Sequence, residues 1–111
     1  VEPDQALKSV GHEETFARDR HDIDSLRREV VRMADAVAAR LRDHGFAGRT
    51  VTIKVRFHDF RTITRAFTVP EPIDTGPAVA RAAKAVLDQG VTSSGVRLLG
   101  LSISQVAHRF G

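Results

Sequence analysis

The chain of 111 residues has the size of one ordinary domain, long enough to close a single hydrophobic core without disulfide or metal staples. Apolar residues make up 41% and charged residues 28%, with both signs interspersed, which is the composition of a soluble globular protein and excludes a disordered tail. No apolar run approaches a bilayer span, the first residues lack the features of a signal peptide, and the lack of cysteine excludes disulfide and thiolate chemistry; a cytoplasmic monomer with no membrane partner is expected.

Residues 1–6 read as a linker remnant, 7–106 as one domain and 107–111 as a C-terminal tail. The stretch from Leu7 to Phe16 looks extended and predicts a first strand, although it carries Gly11 and the adjacent carboxylates Glu13 and Glu14. From Asp24 to His44, Leu26, Val30, Met33, Val37 and Leu41 recur on one helical face. Asp22 or Asp24 can cap the start of this helix, and Gly45 can close its end in the left-handed conformation.

Thr50 to Phe57 alternates, with Val51, Ile53, Val55 and Phe57 on one side and Thr52, Lys54 and Arg56 on the other. After a break at residues 58–61, Thr62 to Val69 alternates again and predicts the second arm of an antiparallel hairpin, with Ile63, Phe67 and Val69 inward. Pro70 and Pro72 are expected to stop the ladder. Thr75-Gly76-Pro77 then opens a second helix with a stripe of Val79, Ala83, Val86 and Leu87, ended by Gly90. The loop Thr92-Ser93-Ser94-Gly95 leads to a last strand from Val96 to Val106, where Gly100 marks a bulge or bend.

Strand, helix, strand, strand, helix, strand is the order of an α+β, split βαβ fold: a ferredoxin-like βαββαβ chain with a four-stranded antiparallel sheet. Both helices then cover one sheet face and leave the other open. That face displays Thr52, Lys54, Arg56, Thr62, Thr64, Thr68, Ser102 and Ser104, a hydroxyl-rich and cationic set suited to phosphate oxygens. Water alone also demands a polar open face, and threonine is a good strand former, so patterning does not decide between solvation and binding. The chain has no Tyr or Trp and its strand phenylalanines sit mostly at inward parity, which disfavours base stacking on the sheet.

Catalytic patterns are missing. His12, His21, His44, His58 and His108 have neither the i, i+4 spacing nor the clustering of metal ligands, and Glu13 and Glu14 point to opposite strand faces. There is no phosphate-binding glycine loop and no nucleophile elbow. The helix arginines Arg27, Arg28, Arg32, Arg40 and Arg42 are interleaved with Glu29, Asp35 and Asp43, as on a solvated outer face.

Three stretches carry a specific resemblance: Lys8-Ser9-Val10-Gly11-His12-Glu13-Glu14-Thr15-Phe16, the strand from Val51 ending in Phe57-His58-Asp59-Phe60, and Gly95-Val96-Arg97-Leu98-Leu99-Gly100-Leu101-Ser102. In that order they resemble the little-finger domain of Y-family translesion polymerases of the DNA polymerase IV type, over nearly the whole chain. The resemblance implies a sheet that lies along primer–template duplex and grips both backbones without reading sequence. It implies that the backbone amides around Gly11, His12, Glu13 and Glu14 and the hydroxyl of Thr15 meet a phosphate, with Ser9 also DNA-binding, that Thr64 and Arg65 meet the neighbouring backbone, and that Arg97 and Ser102 serve from the final strand. Strict alternation sets Arg65 and Arg97 opposite the threonine face, so a bulge or strand edge is needed to bring them to it. Glu13, Leu98 and Ser102 stand where more basic relatives can carry cations, which implies a weaker or differently placed grip.

In that family the metal-binding carboxylates lie in the palm, so the resemblance implies no catalysis and no cofactor here, with magnesium belonging to the palm of the parent enzyme. The implied partners are duplex DNA, the parent's palm and fingers, and the sliding clamp. Gln105-Val106-Ala107-His108-Arg109-Phe110 has the glutamine and phenylalanine of a clamp peptide but not its leucines, and reads as a strand end or tail. Two alternatives stay open: a docking module for the clamp or another replication partner, and an unrelated ferredoxin-like domain with a ligand pocket on its sheet.

Overall fold

The protein is described by a computed structural model covering residues 9–90 and 95–108. The expected linker remnant, residues 92–94 of the expected loop, and Arg109 and Phe110 of the tail lie outside the described residues. In chain order the elements are β1 (Ser9–Arg20), α1 (Ile23–Asp43), β2 (Phe46–Phe57), β3 (Thr62–Ile73), α2 (Gly76–Gly90), β4 (Val96–Ser104) and the short β5 (Ala107–His108).

Capping side chains define where the helices begin. Asp22 is extended and its carboxylate accepts a hydrogen bond from the Asp24 amide at 3.1 Å, so Asp22 rather than Asp24 caps α1. Gly45, at φ 72°, turns the chain out of the other end. Before α2, the Thr75 hydroxyl accepts from the Ala78 amide at 3.4 Å and its carbonyl from Val79 at 3.0 Å, and Pro77 falls in the first turn, where no intrahelical bond is lost.

The sheet runs β1-β4-β2-β3, with every neighbouring pair antiparallel. β4 separates β1 from β2, and β2 separates β3 from β4, so both βαβ units are split. β2 and β4 are central; β1 and β3 are the edges. Val51, Ile53, Val55 and Phe57 of β2 and Leu99, Leu101 and Ile103 of β4 join Leu26, Val30, Met33, Val37 and Leu41 of α1 and Val79, Ala83, Val86 and Leu87 of α2 in one buried core. Burial of this apolar surface is the main force holding helices to sheet.

Four expectations need correction. Pro70 and Pro72 do not stop the ladder: β3 continues to Ile73 across an irregularity between Thr50 and Gly48 of β2. An edge strand tolerates proline because its outward amides have no ladder partner to lose. The bulge in β4 lies not at Gly100, which pairs regularly with both Glu13 and Lys54, but at Arg97, where partners pass from Arg56–Leu98 to Phe57–Val96. Phe67 has inward parity, opposite Val51, yet stays 50% exposed, because on an edge strand the helices do not reach over it. Finally, Ala107 and His108, expected in a tail, form β5 against Ala47 and Phe46, with the rings of His108 and Phe46 at 4.6 Å.

Candidate nucleic-acid interface

Strand register resolves the sheet into transverse rows, each contributed by β1, β4, β2 and β3 in turn. On the face away from the helices the rows are Ser9, Ser104, Thr50, Thr68; then Gly11, Ser102, Thr52, Ala66; then Glu13, Gly100, Lys54, Thr64; and then Thr15, Leu98, Arg56, Thr62. The alternate rows, such as Val10, Ile103, Val51, Phe67, face the helices. Register therefore gathers twelve of the sequence-derived candidates onto one uncovered surface.

Small residues shape this surface. Gly11 and Gly100 lack side chains, and between them Thr52, Lys54, Glu13 and Ser102 border a shallow depression of about 350 Å³. A Cβ built on Gly11 would stand 3.2 Å from Ser102 Cβ, so neighbouring backbones lie close beneath the depression. Short hydroxyls and a bare backbone let a rigid polyanion approach the sheet, with amides and hydroxyls as donors. Arg56 Nε donates to the Thr62 hydroxyl at 3.2 Å, Thr50 and Thr68 share a hydroxyl bond at 2.9 Å, and Lys54 Nζ reaches Glu13 at 3.4 Å.

The remaining three candidates lie elsewhere. His12 and Arg65 occupy the two edges of a helix-side row with Leu101 and Ile53, so their side chains do not join the open face. His12 Nε2 lies 3.6 Å from Glu14, and Arg65 donates to the Thr64 carbonyl at 3.1 Å. Arg97, released from alternation by the bulge, pairs with Asp19 at 3.2 Å and lies over the Phe60 ring at 5.8 Å. Sequence reasoning missed Gly100, Thr50 and Ala66 on the open face; strand parity was the signal for all three. Leu98 is buried, at 8% exposure, without belonging to the core beneath the helices.

Acidic and basic groups behind the sheet serve packing. Arg32 holds Glu14 at 2.5 Å and Glu29 at 2.6 Å, and this guanidinium keeps the Glu14 carboxyl below its usual range while its own pKa rises. Arg27 joins α1 to Asp88 of α2 at 2.9 Å, which likewise raises its pKa. Arg40 donates to the Gly11 carbonyl and Arg42 to the Asp74 carbonyl, each at 2.8 Å. These arginines, expected merely to be solvated, are ties between elements. Among the described residues no group of three His, Asp or Glu side chains converges in a way that could hold a metal ion. No described helix is long and apolar enough to cross a membrane.

A comparison with known families decides what this sheet belongs to: the model of the impB/mucB/samB family C-terminal domain matches residues 7–109. The chain belongs to that family. Its similarities among curated proteins are to DNA polymerase IV, and among solved structures to a PolIV little finger. The domain is 43% identical over 107 residues to DNA polymerase IV of Streptomyces coelicolor and 40% identical over 105 residues to that of Alkalilimnicola ehrlichii. Those matches cover 96% and 94% of this chain but only 22% and 29% of the relatives, so the chain spans about a quarter of their length. In fold, the domain resembles the little finger in a complex of the β-clamp processivity factor and the little finger domain of PolIV, with a TM-score of 0.70, 24% identity and 86% of both chains covered. It also resembles Dbh DNA polymerase in a post-insertion binary complex, with a TM-score of 0.77, 10% identity, and 91% of this chain and 29% of that one covered.

Proposed function

We propose that this little-finger domain grips primer–template duplex through both sugar-phosphate backbones, without reading base sequence, on behalf of a translesion polymerase. The observation that carries the reading is the set of four outward rows, an uncovered surface of hydroxyls, bare glycines and the cations Lys54 and Arg56. Phosphate contacts position a protein on DNA and carry no sequence information, and outward aromatics that would stack unpaired bases are missing from the rows. Nucleotide addition and its magnesium belong in this reading to the palm of the parent enzyme, with the sheet supplying purchase on the product duplex.

Anisotropy titrations with two short duplexes of unrelated sequence, joined to an amide chemical-shift map, test this. Similar affinity for both, a steep loss with salt, and shifts gathered on the four rows are expected. Shifts confined to the helix side, or one sequence bound far more tightly, would defeat it. The likeness to the clamp-bound little finger supports a second reading, in which the domain also meets the β-clamp. Clamp-induced shifts away from the rows, with duplex binding retained, are the outcome that reading requires.

A further inference from the structure

Of the outward rows, the one formed by Glu13, Gly100, Lys54 and Thr64 differs in kind. Glu13 is the single carboxylate among the sixteen residues of the four rows, and it lies in the same row as Lys54. Glu13 and Lys54 sit on β1 and β2, on either side of β4, so their backbones are about 10 Å apart, twice the strand spacing. They meet because the residue between them has no side chain. A Cβ on Gly100 would stand 3.3 Å from Glu13 Cγ and 3.6 Å from Lys54 Cβ, in the path the two side chains use. Glu14, one residue on, faces the other way and is committed to Arg32, whereas the ion-pair partner of Glu13 is Lys54, at 3.4 Å.

We propose that Glu13 is an affinity-limiting residue of the interface, and that its bridge to Lys54 over Gly100 must be exchanged for a phosphate when duplex binds. This rests on the duplex reading above and adds to it a built-in brake. The Glu13 side chain is 53% exposed and that of Lys54 40%, so the bridge stands in water and is weak enough to be displaced. Its cost to binding is twofold: Lys54 gives up a partner, and a carboxylate remains within a Debye length of the incoming backbone. A domain braked in this way releases duplex readily.

The test is a salt series of anisotropy titrations on one duplex with the wild-type domain, Glu13→Gln, Glu13→Lys, Lys54→Ala and the Glu13→Gln/Lys54→Ala double variant. Glu13→Gln is expected to bind about 3–10-fold more tightly at low salt, with a log–log salt slope steeper by up to about one. Glu13→Lys gains more, and the gain from Glu13→Gln shrinks when Lys54 is already absent. Duplex binding by the wild type with no gain in either Glu13 variant overturns the brake and leaves the duplex reading standing. Failure of wild type and both Glu13 variants to bind overturns both.

Discussion

Gly48 and Ile103 occupy each other's space: a Cβ placed on Gly48 of β2 would stand 2.1 Å from Ile103 Cγ2 and 3.2 Å from the Ser104 carbonyl. Ile103 is fully buried and cannot swing away. Gly48→Ala should therefore destabilise the domain by about 1–3 kcal/mol through overpacking, seen as a lower urea midpoint at unchanged slope. An unchanged midpoint would show that the sheet yields at this place.

Lys54→Ala and Arg56→Ala should each weaken duplex binding to a similar degree on unrelated sequences, and each should flatten the salt slope by about one unit. Arg65→Ala, on the helix-side row, should change the slope less than either. Equal slopes for all three variants would mean that the four rows do not define the contact.

Acid stability should register the Glu14–Arg32 contact. The hydrogen bond from Arg32, reinforced by its charge, lowers the Glu14 pKa from an ordinary value of 4.5. A depressed carboxylate contributes stability that is present above its unfolded pKa and lost as pH falls through the folded one. Melting temperatures followed from pH 7 downward should converge for wild type and Glu14→Gln only once pH has fallen below the ordinary glutamate range, the variant being the less stable at neutrality. A constant gap across that range would remove the contact from the account of stability.

Phe67 and Leu101 should respond differently to truncation. Leu101 is 1% exposed at the centre of the sheet, so Leu101→Ala should cost about 2–5 kcal/mol. Half-exposed Phe67 has far less to lose, and Phe67→Ala should cost about 1 kcal/mol or less. Comparable losses in denaturant melts would place Phe67 in the core after all.

Much of the fold was legible because periodicity is strong where burial is one-sided. The stripe of Leu26, Val30, Met33, Val37 and Leu41, with Asp22 and Gly45 at its ends, specifies α1 almost to the residue. Parity along β2 likewise separated Val51, Ile53 and Val55 from Thr52, Lys54 and Arg56. What patterning could not supply was register, since nothing in the local sequence states that Glu13 and Lys54 share a row with Gly100. Nor does it distinguish an edge strand from a central one, which is why Pro70 looked like a stop and Phe67 like core. Gly100 looked like a bend because a glycine in a strand has several causes; here it is a clearing between two longer side chains.

The central position of β4 has a consequence for how the domain comes into being. α1 and the β2–β3 hairpin can assemble on the ribosome from neighbouring segments, whereas β1 must wait for a partner encoded beyond both helices. Until then the nascent β1 presents unpaired amides and carbonyls along both sides, a template for pairing with the wrong chain. Closing the sheet depends on contacts of large sequence separation, which slows folding relative to a helical domain of the same size.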